Sequence, residues 1–168
     1  GDVYKRQDNT DYINRAINGG DSINMDKLES GSENYNADNN FYRIDTSENV
    51  DNWCMFWKLS SMRCFHSVVS TSIMDFYSSI GQTRDVASRM ETKVYPLRSL
   101  FSVKYYFNEL TDSERKGITE VSKPETLANL YGFEYVDTQN GFNIYENKYY
   151  VPMGFTYDYY CLCLLYTS

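Results

Sequence analysis

The chain has 168 residues, with 16 Lys and Arg against 23 Asp and Glu, and a formal net charge of −7. This acidic balance argues against a nucleic-acid backbone or an anionic membrane surface as partner, because both attract clustered cationic side chains. No run approaches the roughly 18 to 20 apolar residues that span a bilayer. We therefore expect this piece to lie outside the hydrocarbon core.

The two ends of the chain have an unusual relationship. Residues 2–7, DVYKRQ, and 163–168, CLLYTS, can be back-translated into strings that are nearly reverse complements of each other. Both strings resemble the transposase adapter of sequencing libraries. We interpret 1–7 and 163–168 as adapter-derived and exclude them from fold reasoning. Residues 8–162 are then interpreted as a fragment of a longer protein.

Residues 8–40 are polar and rich in Asn, Asp, Ser and Gly. Tyr12 to Ile17 allow one short helix, and no secondary-structure period is present from Asp21 to Asn40. This composition predicts a loosely ordered, partly disordered connector. A single α+β domain, truncated at its end, is expected over 41–162.

The first half of this domain contains four predicted elements. Phe41 to Asp45 alternates as a strand does, and the apolar Trp53 to Leu59 predicts a buried strand. Val68 to Ile80 has helical periodicity and ends at Gly81, a typical C-terminal stop. Asp85 to Met90 is interpreted as a further turn of helix.

In the second half, Leu97 to Phe107 predicts a helical turn that leads into a buried strand. Lys123-Pro124-Glu125 resembles a helix start. Phe133 to Val136 and Phe142 to Tyr145 flank Asn140-Gly141, which is a strong hairpin signal. A last strand is expected at Phe155 to Tyr160.

These elements do not alternate as regular βαβ units. The sequence therefore predicts an α+β fold with a mixed or mostly antiparallel sheet, two or three short helices and the loosely ordered polar segment in front.

The cysteines and the single histidine offer little chemistry. Cys54, Cys64 and Cys161, which remain when Cys163 is assigned to the adapter, lack metal-ligand spacing. We interpret them as small buried residues, with a Cys54 to Cys64 disulfide as the alternative. His66 lies two residues after Cys64, so a strand would place both on one face, but nothing in the sequence supplies a third, orienting group. We predict no catalytic residue, no metal and no cofactor in this piece.

Aromatic residues make up 17% of the chain, including 17 tyrosines. Tyrosine suits a half-buried sheet, because its ring packs while its hydroxyl stays hydrated. The functional alternative is a sugar-binding face on which flat rings stack. Its candidate residues are Trp53, Trp57, Tyr149 and Tyr150.

Four blocks resemble, in the same order, segments of the bacterial YfhO membrane proteins. The blocks are FYRID, FHSVVSTSIMDFYSSIG, PLRSLFSVKYYF and FNIYENKYYVPMGFTYD, and they cover Phe41 to Asp158. One departure is His66, which stands where a serine is common. Another is the segment WCMFWKLSS, which stands before His66 in place of the glycine-rich sequence that is usual in the family.

The resemblance implies a multi-pass membrane protein related to glycosyltransferases of the GT-C type. Such proteins are implicated in moving sugars from a lipid-phosphate carrier to envelope polymers such as lipoteichoic acid. The catalytic acidic residue would lie outside this piece, which would be an accessory module on the extracytoplasmic side of the cell membrane. Expected partners are an envelope glycopolymer or a lipid-linked sugar, and the membrane through flanking helices that this piece lacks.

Two other interpretations remain open. The piece can belong to a secreted carbohydrate-binding module. Alternatively, it is a structural domain without a ligand, which predicts that nearly all of its aromatic residues are buried.

Overall fold

The computed structural model describes residues 23–32, 41–48, 50–117 and 126–154. In these ranges the fold is α+β, as predicted. The described helices are α1 Met25–Ser30, α2 Cys54–Trp57, α3 Thr71–Ser79, α4 Tyr95–Leu100 and α5 Asp112–Arg115. The described strands are β1 Arg43–Thr46, β2 Cys64–Phe65, β3 Ala87–Ser88, β4 Val103–Glu109, β5 Phe133–Gln139 and β6 Phe142–Asn147.

A mixed four-stranded sheet organises the domain, with strand order β1-β4-β6-β5. β1 runs parallel to β4, whereas β4 to β6 and β6 to β5 are antiparallel pairs. The central strands β4 and β6 are buried along most of their length. β2 and β3 form a separate antiparallel pair. The predicted mixed sheet is confirmed.

Two local predictions hold in detail. β5 and β6 form the expected hairpin, and Asn140 and Gly141 at its tip have φ of 44° and 74°. Positive φ at both central residues is the geometry of the two-residue turns that suit the strand twist. The helical turn and strand expected over Leu97 to Phe107 are α4 and β4.

The predicted strand at Trp53 to Leu59 is wrong, because this segment forms helix α2. One helical turn places Trp53 and Trp57, four residues apart, on the same side. Both indoles pack edge-on against Phe142, at centroid distances of 5.6 and 5.2 Å. Met55 and Phe56 point outward and are 71% and 41% exposed. Because these two exposed residues are also apolar, the segment lacks the alternation of apolar and polar residues by which an amphipathic helix is recognised in a sequence.

The absence of regular structure from Asp21 to Asn40 is also wrong for the part that the structure describes. Leu28 of helix α1, and Ile23 just before the helix, are buried in the main core. Lys27 Nζ lies 2.7 Å from Asp137 Oδ2 on β5. With so few apolar positions, the sequence carries no detectable period here.

Two further helix predictions differ from the structure. Asp85 to Met90 contains strand β3, and the Asp85 carboxylate accepts a hydrogen bond from the Ala87 N–H at 3.0 Å, which stabilises a turn instead. The helix expected after Pro124 is not formed over 126–131, where Thr126 bridges to Glu134. The elements predicted at Tyr12 to Ile17 and Phe155 to Tyr160 lie outside the described residues.

We expect Phe142→Ala to lower the free energy of unfolding by about 3 to 5 kcal/mol, because it removes the ring against which both indoles pack. Urea unfolding of the chain measures this loss. Phe56→Ala is the matched control, because that ring is 41% exposed. Its cost is expected to stay below about 1 kcal/mol. Equal losses in the two variants would contradict this account of the core.

Candidate functional site

A buried ionic cluster joins three segments of the chain. Asp45 on β1 accepts from Arg63 Nε at 3.2 Å and from Arg98 Nε, on α4, at 2.9 Å. The side chains of Asp45, Arg63 and Arg98 are 1%, 5% and 0% exposed. Because a buried charge is tolerated only with partners, this cluster fixes the three segments relative to one another.

Arg98 also fixes the chain that precedes its helix. Its guanidinium donates to the carbonyl oxygens of Met90, Glu91 and Val94 at 2.9, 3.0 and 3.4 Å. One buried side chain therefore holds the segment from Met90 to Val94 against the ionic cluster.

A cavity of about 450 Å³ lies over this cluster. Two of the residues that line it, Arg63 and Tyr106, are buried. The other walls are formed by residues 90–93, by Glu48 and by Asn129. Its polar lining residues are Glu48, Arg63, Glu91, Thr92, Lys93, Tyr106 and Asn129. The site offers carboxylate and amide acceptors next to cationic, hydroxyl and amide donors, and its volume is in the range of ligand pockets.

Arg63 is incompletely satisfied. Its Nη1 atom has no hydrogen-bond partner among the residues that the structure describes, although the side chain is only 5% exposed. The single carboxylate of Asp45 is shared between Arg63 and Arg98. One positive charge of the cluster is therefore not balanced within it.

Tyr106 stays protonated over a wide pH range. Burial raises its pKa to about 12, the nearby Asp45 carboxylate adds to the increase, and Arg63 and Arg98 oppose it. The phenol is therefore a neutral hydroxyl at physiological pH. It is suited to hydrogen bonding rather than to general-base chemistry.

Two tyrosines, the half-buried Tyr95 and the exposed Tyr131, lie close in the chain to residues that line the cavity. Tyr95 follows Lys93 by two residues, Tyr131 follows Asn129 by two residues, and their rings pack at 5.1 Å. Tyr131 is 66% exposed. We call Tyr95, Tyr131 and Tyr149 the tyrosine rim.

Tyr149 has a fixed backbone and an exposed ring. Asn147 accepts from the Tyr149 N–H at 3.0 Å and donates to the Val103 carbonyl at 2.9 Å, so it anchors this residue to β4. The ring lies against Gly132, where an added Cβ would be 2.4 Å from Tyr149 Cδ2. Glycine at this position therefore lets the ring lie close to the chain that carries Tyr131.

The four aromatic residues chosen from the sequence have different positions. Trp53 and Trp57 are buried in the core, so neither indole presents a face to a ligand. Tyr149 is 68% exposed. Tyr150 is half-buried, and its hydroxyl donates to the Phe41 carbonyl at 3.0 Å.

A buried lysine lies on the central strand β4 of the sheet. Lys104 Nζ lies 5.5, 5.3 and 5.9 Å from the ring centroids of Tyr42, Tyr105 and Tyr150. Burial lowers the pKa of Lys104, while the nearby Glu146 and Glu29 oppose this change. Such cation–π contacts partly replace water around the ammonium. This cluster is part of the core under helix α1.

Cys64 and His66 line one groove, of about 430 Å³, with Phe76, Tyr77 and Phe101. Cys54 and Cys64 are free thiols, so the alternative of a disulfide between them is wrong. Burial raises the pKa of Cys54, which disfavours its reactive thiolate. Within the described residues, no group of three or more His, Cys, Asp or Glu side chains could hold a metal ion.

Comparison with known proteins identifies the family. The chain matches the family model described as "Bacterial membrane protein YfhO" over residues 3–161. It therefore belongs to the YfhO family of bacterial membrane proteins. No curated protein and no solved structure matches it. Across the described ranges, none of the helices has the length and apolar character needed to cross a bilayer.

Sequence reasoning did not select the cavity residues. Glu48, Arg63, Lys93 and Asn129 lie in separate loops, and no local spacing connects them. Arg63 in particular resembles an ordinary loop arginine until the fold brings it to Asp45. The high tyrosine content is a signal for aromatic residues in a binding site, but it does not indicate where in the fold the site lies.

We expect Asp45→Asn to destabilise the chain by about 3 to 5 kcal/mol, because it leaves two buried guanidinium groups without a carboxylate. Glu134→Gln is the control. It weakens an ion pair with Lys148 in which the Glu134 side chain is 56% exposed, and is expected to cost about 1 kcal/mol or less. Urea unfolding compares the two variants. Similar losses would show that the cluster does not hold the fold together.

Alkaline pH tests the environment of Tyr106. Its pKa is about 12 in the folded chain, against the ordinary 10.0. The unfolded state therefore loses its proton first, and stability falls as pH rises through this interval. Between pH 9 and 11 the parent chain is expected to lose about 1.4 kcal/mol more stability than Tyr106→Phe. Urea unfolding at both pH values measures the difference, and parallel losses would contradict it.

Proposed function

We propose that this chain is an extracytoplasmic accessory module of a membrane glycosyltransferase. The parent protein transfers sugars from a lipid-phosphate carrier to an envelope polymer such as lipoteichoic acid. Its catalytic residue lies elsewhere in that protein. Membership of the YfhO family supports the membrane attachment. The side of the membrane and the reaction belong to the proposal.

In this proposal the module binds envelope glycan in the polar cavity and on the tyrosine rim. The observation that carries it is the exposure of Tyr131 and Tyr149, since Tyr131 follows by two residues the Asn129 that lines a cavity with both donors and acceptors. Sugars present hydroxyl groups at their edges and C–H groups on their faces. A binding site for them therefore needs hydrogen-bonding side chains and a flat apolar ring together.

The exposure of these rings also separates the proposal from a purely structural domain. A structural domain predicts buried aromatic residues, whereas Tyr131 and Tyr149 are 66% and 68% exposed. Neither ring is needed to fill the core. Asn147 fixes the backbone of Tyr149, so its ring is held ready at little cost in conformational entropy.

Titration of the chain with lipoteichoic acid, followed by NMR, tests the proposal. We expect shifts at Tyr131 and Tyr149. Tyr131→Ala and Tyr149→Ala are each expected to weaken binding about fivefold, because each removes a stacking contact of about 1 kcal/mol.

Phe56→Ala is the control, because it removes an exposed ring from helix α2. Its affinity is expected to equal that of the parent chain. Unchanged affinity in both tyrosine variants would exclude the tyrosine rim as the binding surface.

A further inference from the structure

We propose that the cavity over the ionic cluster selects a sugar that carries an anionic group, and that Arg63 binds this group. The inference names the ligand class of the cavity and rests on the proposed function for the sugar part of the ligand. The binding of the anion is argued from the charges around Arg63 alone.

Two buried cations of the ionic cluster share one buried carboxylate. Arg63 and Arg98 are two cations, and Asp45 is the one carboxylate that pairs with them. Arg98 satisfies its remaining donors with main-chain carbonyl oxygens. Arg63 uses Nε for Asp45 and leaves Nη1 without a partner in the described part of the chain. The uncompensated charge is therefore on Arg63.

The acidic residues at the cavity wall do not neutralise Arg63 by an ion pair within the described residues. Glu48 and Glu91 both line the cavity, but neither forms an ion pair with Arg63 within the described residues. Glu91 pairs instead with Lys93, at 2.5 Å. The unpartnered Nη1 atom is itself buried, so an anion in the cavity would act on the charge of the guanidinium as a whole. A buried cation without a full counter-ion is costly, and such an anion would lower that cost.

The guanidinium of Arg63 determines which anions fit the cavity. A guanidinium presents a planar set of donors that suits carboxylate and phosphate oxygens. Tyr106 and Asn129 also line the cavity, and a neutral phenol and an amide suit the hydroxyl groups of a sugar. The shared ligand chemistry is therefore a hexose with a carboxylate or a phosphate substituent.

Three probes test this inference on the parent chain: glucuronate, glucose 6-phosphate and methyl glucoside. We expect both anionic probes to bind at least about tenfold more tightly than the neutral glucoside, because only they pair with Arg63. The Arg63 Nε–H resonance is expected to shift with the anionic probes alone. Equal affinities, or no shift at Arg63, would overturn the inference.

Two variants test the contributions of charge and of the guanidinium group to binding, and their folding is checked separately. Glu48→Gln removes an exposed acid from the wall, and we expect it to tighten binding of both anions about threefold or more, because it removes repulsion. Arg63→Lys keeps the charge and removes the planar fork, so we expect at least about tenfold weaker binding. Thermal unfolding shows whether each variant remains folded.

The outcomes separate this inference from the proposed function. If lipoteichoic acid and methyl glucoside bind on the tyrosine rim and the anionic probes gain nothing, the anion inference fails and the glycan proposal stands. If the anions bind at Arg63 but Tyr131→Ala and Tyr149→Ala leave the affinity for lipoteichoic acid unchanged, the glycan proposal fails and the anion site stands.

Discussion

The carboxylate of Asp45 is the constraint on which the site depends. It binds Arg63 at 3.2 Å and Arg98 at 2.9 Å, and thereby joins β1, the loop before β2 and helix α4. Since separating buried ions from their partners costs several kcal/mol, these segments cannot move apart independently. Arg98 extends the same constraint to the carbonyl oxygens of 90–94. The floor and one wall of the cavity are therefore set by a single ionic cluster.

Local signals explain which parts of the fold could be predicted. The β5–β6 hairpin follows from Asn140-Gly141, because positive φ at both positions is a property of the turn itself. Helix α2 could not be predicted in the same way. Trp53 and Trp57 satisfy helical spacing, but the exposed Met55 and Phe56 between them give the segment the uniform apolar character of a buried strand. Which of these side chains is buried is decided by Phe142, far away in the sequence.

The candidate site was harder to predict than the fold, because its properties exist only in three dimensions. The tryptophans were chosen by residue type, yet their large apolar area places them in the core. Tyr149 was chosen by the same reasoning and is exposed, since Gly132 and Asn147 hold it at the surface. The open donor of Arg63 arises from the geometry of a shared carboxylate. The spacing of residues in the sequence does not show that two buried arginines share one buried carboxylate.

The sequence blocks that resemble the YfhO family build the frame of the site. FYRID contributes Asp45, PLRSLFSVKYYF contributes Arg98 and Lys104, and the block with β6 contributes Asn147, all of them buried. The cavity residues Glu48, Lys93 and Asn129 lie between these blocks. Buried ionic and hydrogen-bonded residues tolerate little change, whereas loop residues at a cavity wall can change without loss of the fold. We therefore expect family members to share the buried pair of Asp45 and Arg98 and to differ in the polar groups that face the ligand.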